Sequence, residues 1–95
     1  MRKRITKLRS EIVDILRESD VKKASIFGSF ARGTEKKNSD VDLLIEFKGN
    51  KSLLDLSRLK LSLEDRTKQK FDVLTYKSIN PKLKKQILKD EVKIL

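Results

Sequence analysis

Apolar residues recur at spacings of three and four along the first part of the chain. This is the pattern of one face of an amphipathic helix. It predicts a helix that runs to about Glu18 and packs its apolar stripe on a sheet. The pair Ser19-Asp20 ends the pattern. The residues that define the stripe are Ile5, Leu8, Ile12, Ile15 and Leu16.

Short runs rich in Val, Ile, Leu and Phe predict the strands. We expect strands at Val21 to Phe27, Val41 to Phe47 and Phe71 to Thr75, and a short terminal strand at Val92 to Leu95. The run from Val41 is almost continuously apolar, which is typical of a strand buried on both faces. It is therefore predicted to be central in the sheet.

Further helices are predicted between and after these strands. Ser52 can cap a helix that reaches Arg66, and Asn80-Pro81 combines a capping residue with proline at the first helical position. Ser29 to Arg32 can form a short helix, followed by a polar loop from Thr34 to Ser39. The expected inward-facing residues are Leu53, Leu56, Leu59 and Leu63 in the first of these helices and Leu83, Ile87 and Leu88 in the last.

Composition limits the class of protein. The chain has 95 residues, of which 37% are hydrophobic and 40% charged, so we expect a single domain over 1–95. No apolar run approaches the roughly 20 residues of a membrane span, and the start lacks a signal-peptide pattern. A cytoplasmic protein without a membrane partner is expected. Because cysteine and histidine are absent, any metal must be held by oxygen ligands.

The net charge of +10 raises the question of a nucleic-acid partner. Clustered Lys and Arg attract phosphate backbones. Here the basic excess spreads over the predicted helices, and residues 35–50 carry a net charge of −1. The five aromatic residues lie mostly in predicted strands, where core packing explains them better than base stacking. Nucleic-acid binding therefore stays an alternative that we do not favour.

The chemistry is concentrated in residues 28–33, Gly-Ser-Phe-Ala-Arg-Gly, and 39–43, Ser-Asp-Val-Asp-Leu. Gly28 has no Cβ and lets the backbone approach a phosphate, and Ser29 adds a hydroxyl donor. Asp40 and Asp42 are two apart at a strand start, so their side chains point the same way. Such a pair suits Mg²⁺ bridged to a triphosphate. Ordinary turn chemistry is the competing interpretation, but it does not require both acids.

Two further residues are candidates for this site. Asp72 is the one acid in the third apolar strand, and burial of a carboxylate there is costly unless it is paired or coordinated. It is the natural third carboxylate, although a solvent-facing strand residue would look the same in sequence. Arg32 can contact a phosphate or pair with a nearby carboxylate. We assign it to a phosphate.

The spacing of these residues resembles the signature of the DNA polymerase beta-type nucleotidyltransferases. The likeness is strongest to minimal nucleotidyltransferases, small domains that act as antitoxins beside a HEPN-type toxin. It implies a nucleotidyltransferase fold, with Asp40, Asp42 and Asp72 holding one or two Mg²⁺ ions. It also implies that Asp72 can serve as a base toward the acceptor. The nucleotide site predicted from the residues themselves consists of Gly28, Ser29 and Arg32.

The resemblance also implies the reaction and its partners. ATP would be the substrate, and AMP would pass to a hydroxyl of the partner protein, typically a tyrosine of the HEPN toxin, with which the chain would associate. Neutralisation of the partner by contact alone is one alternative. A transferase or binder directed at nucleic acid is the other.

The carboxylates constrain the topology as well. Strand one must end, and strand two begin, near the same phosphates, so these two strands should be antiparallel. If Asp72 meets Asp42, strands two and three are parallel and joined by the helix that Ser52 caps. We therefore expect an α/β (α+β) protein with a small mixed sheet and flanking helices.

Overall fold

A computed structural model describes residues 3–36 and 39–95. Its elements follow the predicted order, with a 3₁₀ turn between the third strand and the last helix. They are α1 (Lys3–Glu18), β1 (Val21–Phe27), α2 (Gly28–Arg32), β2 (Val41–Phe47), α3 (Leu53–Thr67), β3 (Phe71–Thr75), a 3₁₀ turn (Tyr76–Ser78), α4 (Pro81–Asp90) and β4 (Val92–Lys93). Part of the predicted loop from Thr34 to Ser39 lies outside the described residues.

The strands form one mixed sheet in the order β3-β2-β1-β4. β1 pairs antiparallel with β2, and β2 pairs parallel with β3. Both pairings confirm the topology expected from the placement of the acids. β2 lies inside the sheet, as its apolar composition predicted, and Leu43, Leu44 and Ile45 have no exposed surface. The fold class is thus the predicted α/β (α+β) one.

The main core lies between one face of the sheet and the helix pair α1 and α3. All five residues of the predicted α1 stripe are buried there, together with Leu59 and Leu63 of α3. A smaller cluster on the opposite face joins Phe27, Leu44 and Ile79. Burial of these side chains is the main stabilising term of such a small fold.

Three leucines predicted to face inward are exposed instead. Leu53 is 82% exposed, because it lies in the first turn of α3, before the helix reaches its packed positions at Leu59 and Leu63. Leu83 and Leu88 are also exposed, because α4 has no fully buried residue and only its Ile87 packs against the smaller cluster. The predicted inner faces were therefore wrong at these positions.

The C-terminal strand is shorter than predicted. Regular pairing with β1 stops at Lys93, but the backbone of Ile94 and Leu95 still bonds to Ala24 at 2.9–3.1 Å. Arg9 of α1 also donates to the Ile94 carbonyl at 2.8 Å. The chain end is thus fastened to both the sheet and a helix. In the described part of the chain, no helix is both long and apolar enough to cross a bilayer.

Candidate active site

The sheet register brings two of the predicted acids side by side. Asp42 is the second residue of β2, Asp72 is the second residue of β3, and the parallel pairing sets them directly opposite each other. Two residues before Asp42 stands Asp40, just ahead of the strand. A backbone bond of 2.9 Å from the Val41 amide to the Lys70 carbonyl aligns the starts of both strands. The acids therefore collect at one end of the sheet.

Gly28 lies in direct contact with this cluster. The antiparallel register places Phe27, the last residue of β1, opposite Asp42, and Gly28 follows with φ +72°. A Cβ built on Gly28 would collide with the Asp42 carboxylate oxygen Oδ2. Glycine is thus required here twice, for the left-handed backbone and for the space that the carboxylate occupies. This close approach joins the two halves of the predicted site.

The remainder of the glycine-rich motif builds α2. Its side chain Phe30 is buried in the main core and anchors the helix. Gly33 ends the helix in the left-handed conformation, and the amides of Gly33 and Thr34 both donate to the Ser29 carbonyl at 2.9 Å. Ser29 is half-buried in the first turn of α2, directly after Gly28. The second glycine of the motif therefore has a structural role, and Gly28 borders the acids.

Electrostatics identify Asp42 as the crowded member of the cluster. Its partial burial raises its pKa above the ordinary value of 3.8, and the carboxylates of Asp72 and Asp40 raise the pKa further. The Arg32 guanidinium acts in the opposite direction and lowers it. Carboxylates that repel each other without a bound cation form an arrangement that a metal ion would stabilise.

Asp72 does not have the environment assumed from sequence. Its side chain is exposed, so the cost of burying a carboxylate does not apply to it. What relates it to the site is its register opposite Asp42. An exposed acid at the rim of the cluster is accessible to an incoming molecule.

Arg32 has a partner that the sequence did not predict. Its Nη1 donates to Asp90 Oδ2 of α4 at 2.9 Å. Of the two alternatives considered from sequence, the structure contains the carboxylate pair. Asp90 stands 58 residues further along the chain, and nothing in its local sequence marks it.

A polar cleft opens beside Asp40. It has a volume of about 310 Å³ and lies between the start of α1, α2 and the loop before β3. Three cationic side chains, Arg4, Lys68 and Lys70, line it. Asp40 therefore borders a cleft with three cationic side chains. Sequence reasoning missed this cleft, because its walls come from three separate elements.

The candidate metal ligands do not form a closed metal cage. Among residues 3–36 and 39–95, no three acidic side chains are close enough to enclose an ion by themselves. An ion at these acids would therefore have to share its coordination with substrate phosphates, as Mg²⁺ commonly does.

The chain is similar to known proteins in family, sequence and structure. The family model "Polymerase beta, Nucleotidyltransferase" matches residues 10–95. A protein of Methanocaldococcus jannaschii, provisionally named a protein adenylyltransferase, is 50% identical over 91 residues, covering 96% of this chain and 98% of the relative.

Two solved structures share the fold. One, provisionally described as a minimal nucleotidyltransferase, is 30% identical with a TM-score of 0.81, and covers 95% of this chain and 92% of its own. The other is a tri-AMPylated Shewanella oneidensis HEPN toxin in complex with an MNT antitoxin. It matches with a TM-score of 0.74 at 15% identity, covering 95% of this chain and 71% of the other. At that identity the likeness concerns the fold alone.

Proposed function

Since the chain belongs to the polymerase beta nucleotidyltransferase family, we propose that it moves AMP from ATP to a hydroxyl of a partner protein. The observation that carries this is the meeting of Asp42 and Asp72 in register, with Gly28 in contact with Asp42. Nucleotidyl transfer needs acids that can bind a metal ion next to a backbone segment that leaves room for a phosphate, and these residues supply both.

The proposed metal ligands are Asp40, Asp42 and Asp72. Their oxygen donors are the type that Mg²⁺ prefers, and the raised pKa of Asp42 reflects negative charge that a cation would neutralise. One or two ions, shared with the nucleotide phosphates, would supply charge neutralisation and align the triphosphate. The protein groups that hold the triphosphate are Gly28 and Ser29, with Arg32 beside them.

In the proposed reaction, an acceptor oxygen attacks the α-phosphorus opposite the leaving pyrophosphate. The new O–P bond forms as the bond between the α-phosphorus and the bridging oxygen breaks, and that oxygen leaves with the β- and γ-phosphates. Asp72 accepts the proton of the acceptor hydroxyl and later releases it to water. Its exposed position at the rim suits a group that meets an incoming molecule.

The proposed acceptor is a tyrosine of a HEPN-type toxin, which the modification would silence, so that this chain acts as an antitoxin in the cytoplasm. Support comes from the protein adenylyltransferase name of the Methanocaldococcus relative and from the AMPylated toxin bound by the MNT antitoxin of similar fold. A stable complex of the chain with its partner belongs to this proposal.

The test is intact-mass analysis of the genetically adjacent partner after incubation with this protein, ATP and Mg²⁺. We expect one or more adenylyl groups on the partner. Asp42→Asn and Asp72→Asn should each abolish the gain. Asp65→Asn is the matched control, because Asp65 is an exposed acid of α3 whose described ion pair is a 3.6 Å contact with Lys68.

Three outcomes would contradict the proposal. A stable complex without any mass gain would favour neutralisation by contact. Adenylylation that persists in Asp42→Asn would show that the acid cluster is not the active site. Transfer to RNA or DNA instead of protein would favour the nucleic-acid alternative, for which the net charge of +10 is the supporting observation.

A further inference from the structure

The last turn of α4 holds the side chain of Arg32. Asp90 Oδ2 accepts from Arg32 Nη1 at 2.9 Å and also from Gln86 Nε2 at 3.0 Å. Gln86 and Asp90 are four residues apart and so lie on the same face of the helix. α4 packs against α2, and this three-residue contact joins their ends.

Exposure differs sharply within the pair. The Asp90 side chain is 13% exposed, whereas that of Arg32 is 48% exposed. A guanidinium has five N–H donors in a rigid fork, and Asp90 engages only Nη1. The ion pair thus fixes the Nη1 end of the guanidinium, while the half-exposed side chain keeps other N–H donors toward solvent.

The held guanidinium also acts on the acid cluster. Its positive charge lowers the pKa of Asp42, so Arg32 lies within electrostatic range of the carboxylate that borders Gly28. A phosphate beside Gly28 would approach the same guanidinium. Gly28 and Arg32 are the first and last residues of α2, four apart and so on the same side of that helix. The Arg32 side chain therefore lies on the side of α2 that carries the proposed phosphate position, and Asp90 of α4 holds it there.

We propose that Asp90, supported by Gln86, is a positioning residue that holds Arg32 so that its free N–H donors meet the nucleotide phosphates. This inference rests on the proposed function. It assigns a role in nucleotide binding to α4, a helix without a fully buried residue. It also reconciles both expectations for Arg32, because one guanidinium can pair with a carboxylate and a phosphate at once.

Asp90 could instead compete with phosphate for Arg32, and this role would change nucleotide affinity in the opposite direction. If Asp90 competed with phosphate for Arg32, removing its charge would tighten nucleotide binding. If Asp90 positions Arg32, removing its charge frees a flexible side chain that must be ordered again on binding, and affinity falls. The direction of the change therefore decides between the two roles.

The experiment measures the dissociation constant of a non-hydrolysable ATP analogue with Mg²⁺, together with KM and kcat for transfer. We expect Asp90→Asn to weaken analogue binding about tenfold, as for a lost charge-assisted contact, and to raise KM more than it lowers kcat. Arg32→Ala should weaken binding at least as much. The double variant should be no worse than Arg32→Ala alone, because Asp90 acts only through Arg32.

Two further variants separate positioning from folding. Gln86→Leu keeps both charges of the pair but removes the second contact to Asp90, and should weaken binding roughly two- to threefold. Asp65→Asn should bind as wild type does. Unchanged or tighter binding in Asp90→Asn, or full additivity in the double variant, would overturn the inference. If Asp90→Asn does not fold, the Gln86→Leu result decides alone.

The two proposals fail in different ways. Wild-type protein that binds the analogue but transfers nothing would refute adenylyl transfer and leave the binding comparison valid. Wild-type protein that transfers AMP, while Asp90→Asn binds nucleotide equally well, would refute only the positioning role.

Discussion

At the scale of single residues, the candidate active site brings carboxylates that repel one another close together in a small fold. Burial raises the pKa of Asp42 above 3.8, and the charges of Asp72 and Asp40 add to the effect. An acid whose folded-state pKa is raised makes the folded state bind more protons than the unfolded state. Its ionisation therefore lowers stability as the pH rises from 3.8 through the raised pKa.

This sign predicts the behaviour of Asp42→Asn. Without metal, the variant should melt at a higher temperature than wild type at neutral pH, and the difference should vanish below pH 3.8. Added Mg²⁺ should stabilise wild type but not the variant. Thermal melts across pH, with and without Mg²⁺, check this. A variant less stable than wild type at neutral pH would contradict the electrostatic account.

Gly28 offers a second residue-level prediction with an internal control. Gly28 and Gly49 have nearly equal positive φ values, +72° and +69°. A Cβ on Gly28 meets the Asp42 carboxylate, whereas a Cβ on Gly49 meets no atom within 4 Å.

Gly49→Ala should therefore cost only the left-handed strain, about 1–2 kcal/mol, and leave transfer unchanged. Gly28→Ala should cost more and abolish transfer, because Asp42 must move. Urea unfolding and partner adenylylation measure both effects. Equal stability losses in the two variants would show that the contact between Gly28 and Asp42 is not tight.

At the scale of elements, hydrophobic periodicity correctly predicted the elements that pack one apolar face against a neighbouring element. The α1 stripe and the bounds of β1 to β3 were confirmed, because each has a strongly apolar side that the sheet or the helix pair covers. The predicted burial of Leu53, Leu83 and Leu88 was wrong, because a sequence pattern defines an apolar face but not whether another element covers it.

The candidate site also contains residues that the sequence could predict and a contact that it could not. Asp40, Asp42 and Gly28 could be named as candidates because they stand within a few residues of strand ends, and Asp72 because it is the one acid in its apolar strand. The pairing of β2 with β3 places Asp72 opposite Asp42, as the predicted topology required. The Arg32–Asp90 pair could not be predicted, because it exists only once α4 has packed against α2.

The start of α3 provides an element-level prediction. Ser52 Oγ accepts from the Asp55 amide at 3.4 Å, and Asp55 Oδ2 accepts from the Ser52 amide at 2.8 Å, so both ends of a capping box are present. Ser52→Ala should lower the free energy of unfolding by about 1 kcal/mol. Ser57→Ala, on the exposed surface of the same helix, should change it by less than about 0.5 kcal/mol.

Neither serine variant should alter transfer, because the α3 cap follows the far end of β2 from Asp42. Chemical unfolding and the adenylylation assay together check the prediction. A Ser52→Ala protein of unchanged stability would mean that the capping box contributes nothing measurable, and lost activity would mean that the two ends of the sheet are coupled.

At the scale of the whole molecule, the fold separates its own tyrosine from the acids. The chain has one tyrosine, and Tyr76 follows the C-terminal end of β3, whereas Asp72 stands near its start. Four residues of strand separate the two backbones by about 13 Å, and the Tyr76 hydroxyl lies at Ser25, which pairs with Leu44 and not with Asp42. The Tyr76 hydroxyl is also bonded to Ser25 at 3.1 Å and Glu91 at 3.2 Å.

Self-adenylylation on Tyr76 within one molecule should therefore not occur. Incubation of the protein alone with ATP and Mg²⁺ should leave its intact mass unchanged, and Tyr76→Phe should modify the partner as wild type does. A mass gain of the isolated protein that disappears in Tyr76→Phe would show that the acceptor path differs from the one inferred.

In the proposed reaction, the acids direct attack at the α-phosphorus of ATP. The most direct measurement incubates the protein and its partner with ATP labelled either at the α- or at the γ-phosphate. We predict that only the α-label enters the partner, that pyrophosphate is released, and that Asp42→Asn stops both. Incorporation of the γ-label would contradict the account, because it would mean phosphoryl transfer at this site instead of nucleotidyl transfer.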